Sequence, residues 1–222
     1  MDWTDSFKQS EINEFSNSVL ETLLDRLNNE RPTKIVTLGT SLTADAYWVS
    51  SIEEWLKLKA NNKDNLTIKN LGIHGGSSID ALSQMVNTLS LNPDVVFIEF
   101  SINDAYLPFG ITLEESKKNL IKIIEELNAY NEEIIIILQT MNNPIGKHLL
   151  EAPYIDDYYE IYREISISNN LLLIDHYPIW MNLYNQDSTK WKEYVPDGLH
   201  PNEKGCINII VPSIKEALLS ER

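Results

Sequence analysis

An α/β domain built on a parallel sheet is the fold class this sequence predicts, on three observations. Short apolar runs alternate with helix-periodic segments along the whole chain. One run, Ile134-Ile135-Ile136-Ile137-Leu138, is continuously apolar, as suits a strand covered on both faces. The polar clusters that carry chemistry stand just after apolar runs or just before helix signals, where open α/β sheets bind ligands. Parallel neighbours need crossover helices on the faces of the sheet. The expectation is a three-layer α/β/α domain with a five-stranded parallel sheet, one unit over residues 1–222, with a helix in 1–30 packed on it.

The elements follow in order. Ile12, Phe15, Val19, Leu23 and Leu27 recur at helical spacing and predict an amphipathic helix near 10–29, ended by Pro32. Lys34-Ile35-Val36-Thr37-Leu38 is the first strand. Val49, Ile52, Trp55 and Leu56 share one face of a helix near 47–60, and Leu66-Thr67-Ile68-Lys69-Asn70 is the second strand. Ser77 and Ser78 offer an N-cap for a helix reaching Leu89, and Pro93 precedes the third strand, 94–99. Thr112 and Glu115 have capping-box spacing; the helix they open carries Leu120, Ile123, Ile124 and Leu127 on its apolar face. The fourth strand is 134–138, and a helix near 155–169 leads to the fifth, 171–174. Asn202 caps a last helix that Pro212 kinks or divides. Asn182 to Val195 shows no clear period and reads as a surface loop over the strand ends.

Composition narrows the function. With 18 basic and 33 acidic residues the formal charge is −15, a surface that repels phosphate backbones and anionic headgroups. Neither nucleic acid nor membrane is an expected partner, and no apolar run approaches the ~20 residues of a membrane span. The single cysteine, Cys206, excludes an internal disulfide and a cysteine-based metal site. Four histidines without ligand spacing suggest no metal, and no phosphate-binding glycine loop suggests no cofactor. The start Met1-Asp2-Trp3-Thr4-Asp5 carries no secretory pattern, so the expected location is cytoplasmic.

Two short motifs point to chemistry. Thr37-Leu38-Gly39-Thr40-Ser41-Leu42-Thr43 follows the first strand, and Asp197-Gly198-Leu199-His200-Pro201 precedes the last helix. They supply a hydroxyl, a carboxylate and an imidazole in the chain order Ser…Asp…His. A serine hydroxyl is a poor nucleophile unless a base lies within reach and a carboxylate holds that base's tautomer. Taken alone, Ser41 reads first as a helix N-cap, and the competing reading of Asp197 is a turn residue before Gly198.

With two further segments the motifs resemble the blocks of the SGNH (GDSL-type) hydrolases, a family of esterases and lipases. The first block is Gly39-Thr40-Ser41-Leu42, the second Asn70-Leu71-Gly72-Ile73-His74-Gly75, the third Ser101-Ile102-Asn103-Asp104, and the last Asp197-Gly198-Leu199-His200. They occur in family order. Thr40 stands where the family has Asp, and Ser101 where it has Gly. The resemblance implies a flavodoxin-like SGNH hydrolase fold. It implies Ser41 as nucleophile, His200 as base, Asp197 as its orienting acid, and Ser41, Gly75 and Asn103 as oxyanion donors. Without it, Gly75-Gly76 and Asn103-Asp104 would read as turns.

Thr40, His74, Tyr106 and Met141 are the candidate substrate contacts, with core packing the competing role for Tyr106, Met141, Trp180 and Trp191. Asp104 reads as structural, Glu99 has no assigned role, and Asp175-His176 is a rival acid–base pair whose side chains should diverge. The expected function is hydrolysis of short-chain acyl esters, including O-acetyl groups on a carbohydrate, through a covalent acyl-enzyme. An acyltransferase with the same residues and a non-catalytic carbohydrate-binding protein are the alternatives. The expected partner is a small-molecule acyl ester; oligomeric state is not legible in the sequence.

Overall fold

A computed structural model of the chain describes residues 18–28 and 32–220. Its sheet holds five parallel strands: β1 (Thr33–Gly39), β2 (Leu66–Asn70), β3 (Val95–Glu99), β4 (Ile135–Gln139) and β5 (Leu172–Ile174), in the spatial order β2-β1-β3-β4-β5. The chain starts at β1, steps one way to β2 and then crosses back to β3. The gap above β1 and β3 is therefore the topological switch point, where open α/β sheets leave a crevice.

Side chains of the central strands alternate between two apolar clusters, as a period of two requires. Ile35, Val95, Phe97, Ile135 and Ile137 face one way, onto α1 (Val19–Asn28), α3 (Tyr47–Lys59) and the C-terminal helix. Val36, Leu38, Val96, Ile98, Ile136 and Leu138 face the other, onto α4 (Ser78–Ser90) and α6 (Leu113–Tyr130). The run of apolar residues in β4 is thus a strand buried on both faces. α8 (Ile155–Ser168) joins both clusters, giving Tyr159 to one and Tyr162 and Ile165 to the other. Helices cover both faces, which makes the expected three layers.

Local signals place the helix starts. Ser77 and Asp80 form one capping box, and Thr112 and Glu115 another. The expected N-terminal helix lies within the described residues only as α1, with Val19, Leu23 and Leu27 buried; Ile12 and Phe15 fall outside them. Asn202 caps the last helix through the Gly205 amide, at 3.0 Å. That helix runs as α11 (Glu203–Gly205), a π-helical stretch Cys206–Ile210, and α12 (Val211–Leu219). The wider turn lies just ahead of Pro212, whose ring would clash with the carbonyl four residues back in a regular α-helix.

One expectation fails. The stretch 182–195 is no loop but the end of one helix and the whole of another, α9 (Tyr177–Gln186) and α10 (Ser188–Tyr194), with Asp187 capping the second. Trp180, Tyr184 and Trp191 pack edge to face and bury the pair against the fold. Two short helices joined at one residue change phase before a period can register.

Candidate active site

The ends of β1, β2 and β3 each contribute one wall. β1 stops at Gly39, Thr40 caps the short helix α2 (Ser41–Ala44) by accepting from the Leu42 amide at 3.1 Å, and Ser41 opens that helix. From the far end of the chain, the loop 197–200 brings His200 over it. Ser41 Oγ lies 2.9 Å from His200 Nε2, and His200 Nδ1 lies 2.6 Å from Asp197 Oδ2. The other carboxylate oxygen of Asp197 accepts from the Leu199 and His200 amides at 2.9 and 2.7 Å. Partial burial would raise the Asp197 carboxyl, but these amides and the imidazole outweigh it and hold it below the usual range. An ionised carboxylate only accepts, so the proton sits on Nδ1. The Nε2 lone pair then faces the serine hydroxyl.

The loop after β2 is tied to the serine turn by Asn70. Its amide donates to the Thr43 and Ala44 carbonyls at 2.7 and 3.0 Å, and its oxygen accepts from the Gly72 amide at 2.9 Å. Gly72 must lack a side chain, since a Cβ there would stand 2.4 Å from the Ala44 nitrogen. Gly75 then adopts φ +67°, the left-handed region that glycine enters without strain. After β3, α5 (Ser101–Asp104) carries Asn103, whose amide donates to the Gly76 carbonyl at 2.7 Å. Asp104 beside it is structural: it accepts from the Ser78 amide and the Ser116 hydroxyl at 2.8 and 2.6 Å. Among the described residues the Ser41 and Gly75 amides donate to no other protein group.

Ser41 and His200 sit where two arms of a crevice meet. The smaller arm, about 330 Å³, is floored by Leu42, Ala46, Cys206 and Ile210. The larger, about 480 Å³, takes in Gly75, Asn103, Tyr106, Phe109, Lys147, His148 and Glu151. His74 borders both arms and reaches across to Asp45 at 3.0 Å.

The structure therefore brings Ser41, Asp197, His200, Gly75, Asn103, His74 and Tyr106 to one crevice. It does not bring Thr40 or Met141. Thr40 is fully buried and turned inward to the Glu99 carboxylate, and Met141 lies in the core beneath β4. Both readings as substrate contacts are corrected on that ground. The rival pair separates as expected: Asp175 binds Arg163 and Thr140, while His176 is buried near Gln139, its imidazole lowered by burial to about 3 and so neutral. Lys147, His148, Glu151 and Phe109 carried no signal in the sequence, because only the fold brings them to Ser41. Among the described residues no cluster of His, Cys, Asp or Glu could hold a metal, and no helix is long and apolar enough to cross a membrane.

A five-stranded α/β fold with this serine turn at its switch point defines an esterase-like hydrolase scaffold. The profile of the GDSL-like Lipase/Acylhydrolase family matches residues 37–206, and the chain belongs to that family. It is accordingly a carboxylic ester hydrolase. Among solved structures it is similar to the lipase/acylhydrolase from Enterococcus faecalis, with 27% identity, a TM-score of 0.69, and coverage of 86% of this chain and 98% of that one. It shares the fold of the acetyl xylan esterase AlAXEase, with 24% identity, a TM-score of 0.71, and coverage of 83% and 98%. It also shares that of a catalytic mutant of Axe2, an acetylxylan esterase from Geobacillus stearothermophilus, with 19% identity, a TM-score of 0.70, and coverage of 84% and 94%. No curated protein sequence matches significantly.

Proposed function

We propose that the chain is a serine esterase acting on short acyl esters, O-acetyl carbohydrates among them, with Ser41 as nucleophile, His200 as base and Asp197 as the acid that orients it. The continuous chain Ser41 Oγ, His200 Nε2, His200 Nδ1, Asp197 Oδ2, with both contacts below 3 Å, carries this reading. Ser41 Oγ attacks the ester carbonyl carbon while its proton passes to Nε2. The oxyanion is held by the Ser41 and Gly75 amides and the Asn103 side chain, donors fixed before the charge develops. The tetrahedral intermediate collapses, the alcohol leaves with the proton from His200, and the acyl group stays on Ser41. Water then attacks the acyl carbon, giving a proton to His200; the second tetrahedral intermediate expels Ser41 Oγ, which takes that proton back, and the acid departs.

The two arms support the substrate class. A carbonyl seated where they meet directs its two substituents apart. The smaller arm, with an apolar floor, suits a short acyl group. The larger, lined by an amide, aromatic rings and charged groups, suits a hydroxyl-bearing alcohol. Two proteins that share the fold, both acetylxylan esterases, favour the same class. The test is a p-nitrophenyl ester series from acetate to octanoate, with a fluorophosphonate probe. The proposal expects labelling at Ser41 and a preference for acetate and butyrate. Absent labelling, or a preference for octanoate, overturns the nucleophile or the chain-length part respectively.

A further inference from the structure

Behind the nucleophile lies a second polar cluster that the mechanism above does not use. Glu99 ends β3, pairs in register with Gly39 of β1, and is 1% exposed. Its Oε1 accepts from the Thr40 amide at 2.7 Å, the Thr40 hydroxyl at 2.9 Å and the Thr43 hydroxyl at 2.8 Å. All three donors belong to the turn that carries Ser41, two from Thr40 on its N-terminal side and one from Thr43 on its C-terminal side. The Thr40 oxygen also accepts from the Leu42 amide, so Glu99 fixes the cap of α2 as well.

The structure assigns Glu99 to the reaction as the positioning residue of the Ser41 turn: one buried carboxylate clamps Thr40 and Thr43 and thereby sets where Ser41 presents its hydroxyl and its N–H. This rests on the reading of Ser41 as nucleophile. The rest of β3 is Val, Val, Phe and Ile, and a strand end in that setting would be served by another apolar residue. Burying a carboxylate is unfavourable unless donors meet it, and here every donor comes from one short turn. The space is reserved for it: a Cβ at Gly39 would stand 2.5 Å from Glu99 Oε1 and 2.3 Å from Thr43 Oγ1. The missing side chain of Gly39 is thus the gap in which the carboxylate meets Thr43. Burial raises the Glu99 carboxyl to about 7, while Thr43 and Thr40 pull the other way and Asp104 adds to the rise. Tyr159 and Tyr162 are the other ionisable groups that feel its charge.

A clamp of this kind acts on geometry that matters most in the transition state, so its loss should appear in kcat rather than KM. The experiment compares wild type, Glu99→Gln, Thr43→Val and Thr43→Ser by steady-state hydrolysis of p-nitrophenyl acetate, fluorophosphonate labelling rate and thermal midpoint. Glu99→Gln should lower kcat about 10–100-fold with KM nearly unchanged, and labelling should slow in parallel. Thr43→Val should lower kcat in the same direction, and Thr43→Ser, which restores the hydroxyl, should recover it. A Glu99→Gln enzyme that folds and turns over at the wild-type rate overturns the assignment. So does a loss in Thr43→Val that Thr43→Ser fails to recover. If Glu99→Gln does not fold, the Thr43 pair decides. Ser41→Ala is run alongside: turnover surviving there defeats the nucleophile reading itself, a pattern distinct from an active Glu99→Gln.

Discussion

Replacing Asn103 with alanine removes two interactions of different kinds, and different measurements read them. The first is visible as a bond: the Asn103 amide donates to the Gly76 carbonyl at 2.7 Å and ties α5 to the loop of Gly75. A hydrogen bond of this sort contributes about 1 kcal/mol net. For a chain of this length that is a shift of about 2–4 °C in thermal midpoint. The second is the contact proposed with the oxyanion, which exists only when substrate is turning over. Loss of one preorganised donor lowers kcat by about 10²–10³, or about 2.7–4 kcal/mol of barrier. The expected result for Asn103→Ala is therefore a small drop in midpoint, a large drop in kcat, and a KM close to wild type. Hydrolysis of p-nitrophenyl acetate and a melting curve on the same preparation separate the two. A variant with wild-type kcat and a lowered midpoint would show that Asn103 only braces the Gly76 turn, and would remove the amide from the oxyanion site.

Three further outcomes are expected. Ser41→Ala should lose nearly all turnover, on the order of 10⁶-fold, and all fluorophosphonate labelling while its melting curve stays near wild type; retained activity would move the chemistry elsewhere. Asp197→Asn keeps an oxygen for the Leu199 and His200 amides but sets an N–H₂ against Nδ1, driving the proton to Nε2; kcat should fall about 10⁴-fold, as for the corresponding change in a serine protease, with little change in midpoint, and a loss below tenfold would refute the tautomer argument. Glu99, raised by burial from 4.5 to about 7, keeps its proton in the folded chain over a window where the unfolded chain has released it. Its contribution to stability is thus full below about pH 4.5 and lost as pH rises to about 7, on the order of 3 kcal/mol; urea midpoints at pH 5 and 8 should show the decline in wild type and a flatter profile in Glu99→Gln.

How much of this was legible in the sequence varied with the range of the interactions. The strands were, because Ile134–Leu138 and its neighbours declare burial within five residues. The N-cap of α4 and the capping box of α6 were, because each is a signal within four residues. Asp197 and His200 stand within four residues, but they and Ser41 read as a site only through the resemblance of four blocks in family order; alone they read as a turn and a helix cap. Thr40 misled because the partner that turns it inward, Glu99, is 59 positions away. Met141 misled because its position after a strand end fits the core and the crevice equally. Only part of the larger arm was legible: His74, Gly75, Asn103 and Tyr106 were read, whereas Lys147 and His148 line it beside a loop held by the Ile145 amide on the Gly198 carbonyl at 2.9 Å, far from them in sequence.

The loop 197–200 has a consequence for how activity is lost. Acid and base sit on one four-residue turn, and the same carboxylate that holds the imidazole also holds two amides of that turn. Their mutual geometry is therefore written into a local hairpin of chain and needs little from the rest of the molecule. What is global is the seating of that cassette over Ser41, through Ile145 on Gly198 and the Asn142 amide on the Leu199 carbonyl. Heating or mild denaturant should unseat the cassette intact, so that turnover fades before the sheet melts and returns on cooling without refolding. The cassette's edge contacts, Ile145 and Asn142, are then the places to engineer heat tolerance of the activity as distinct from heat tolerance of the fold.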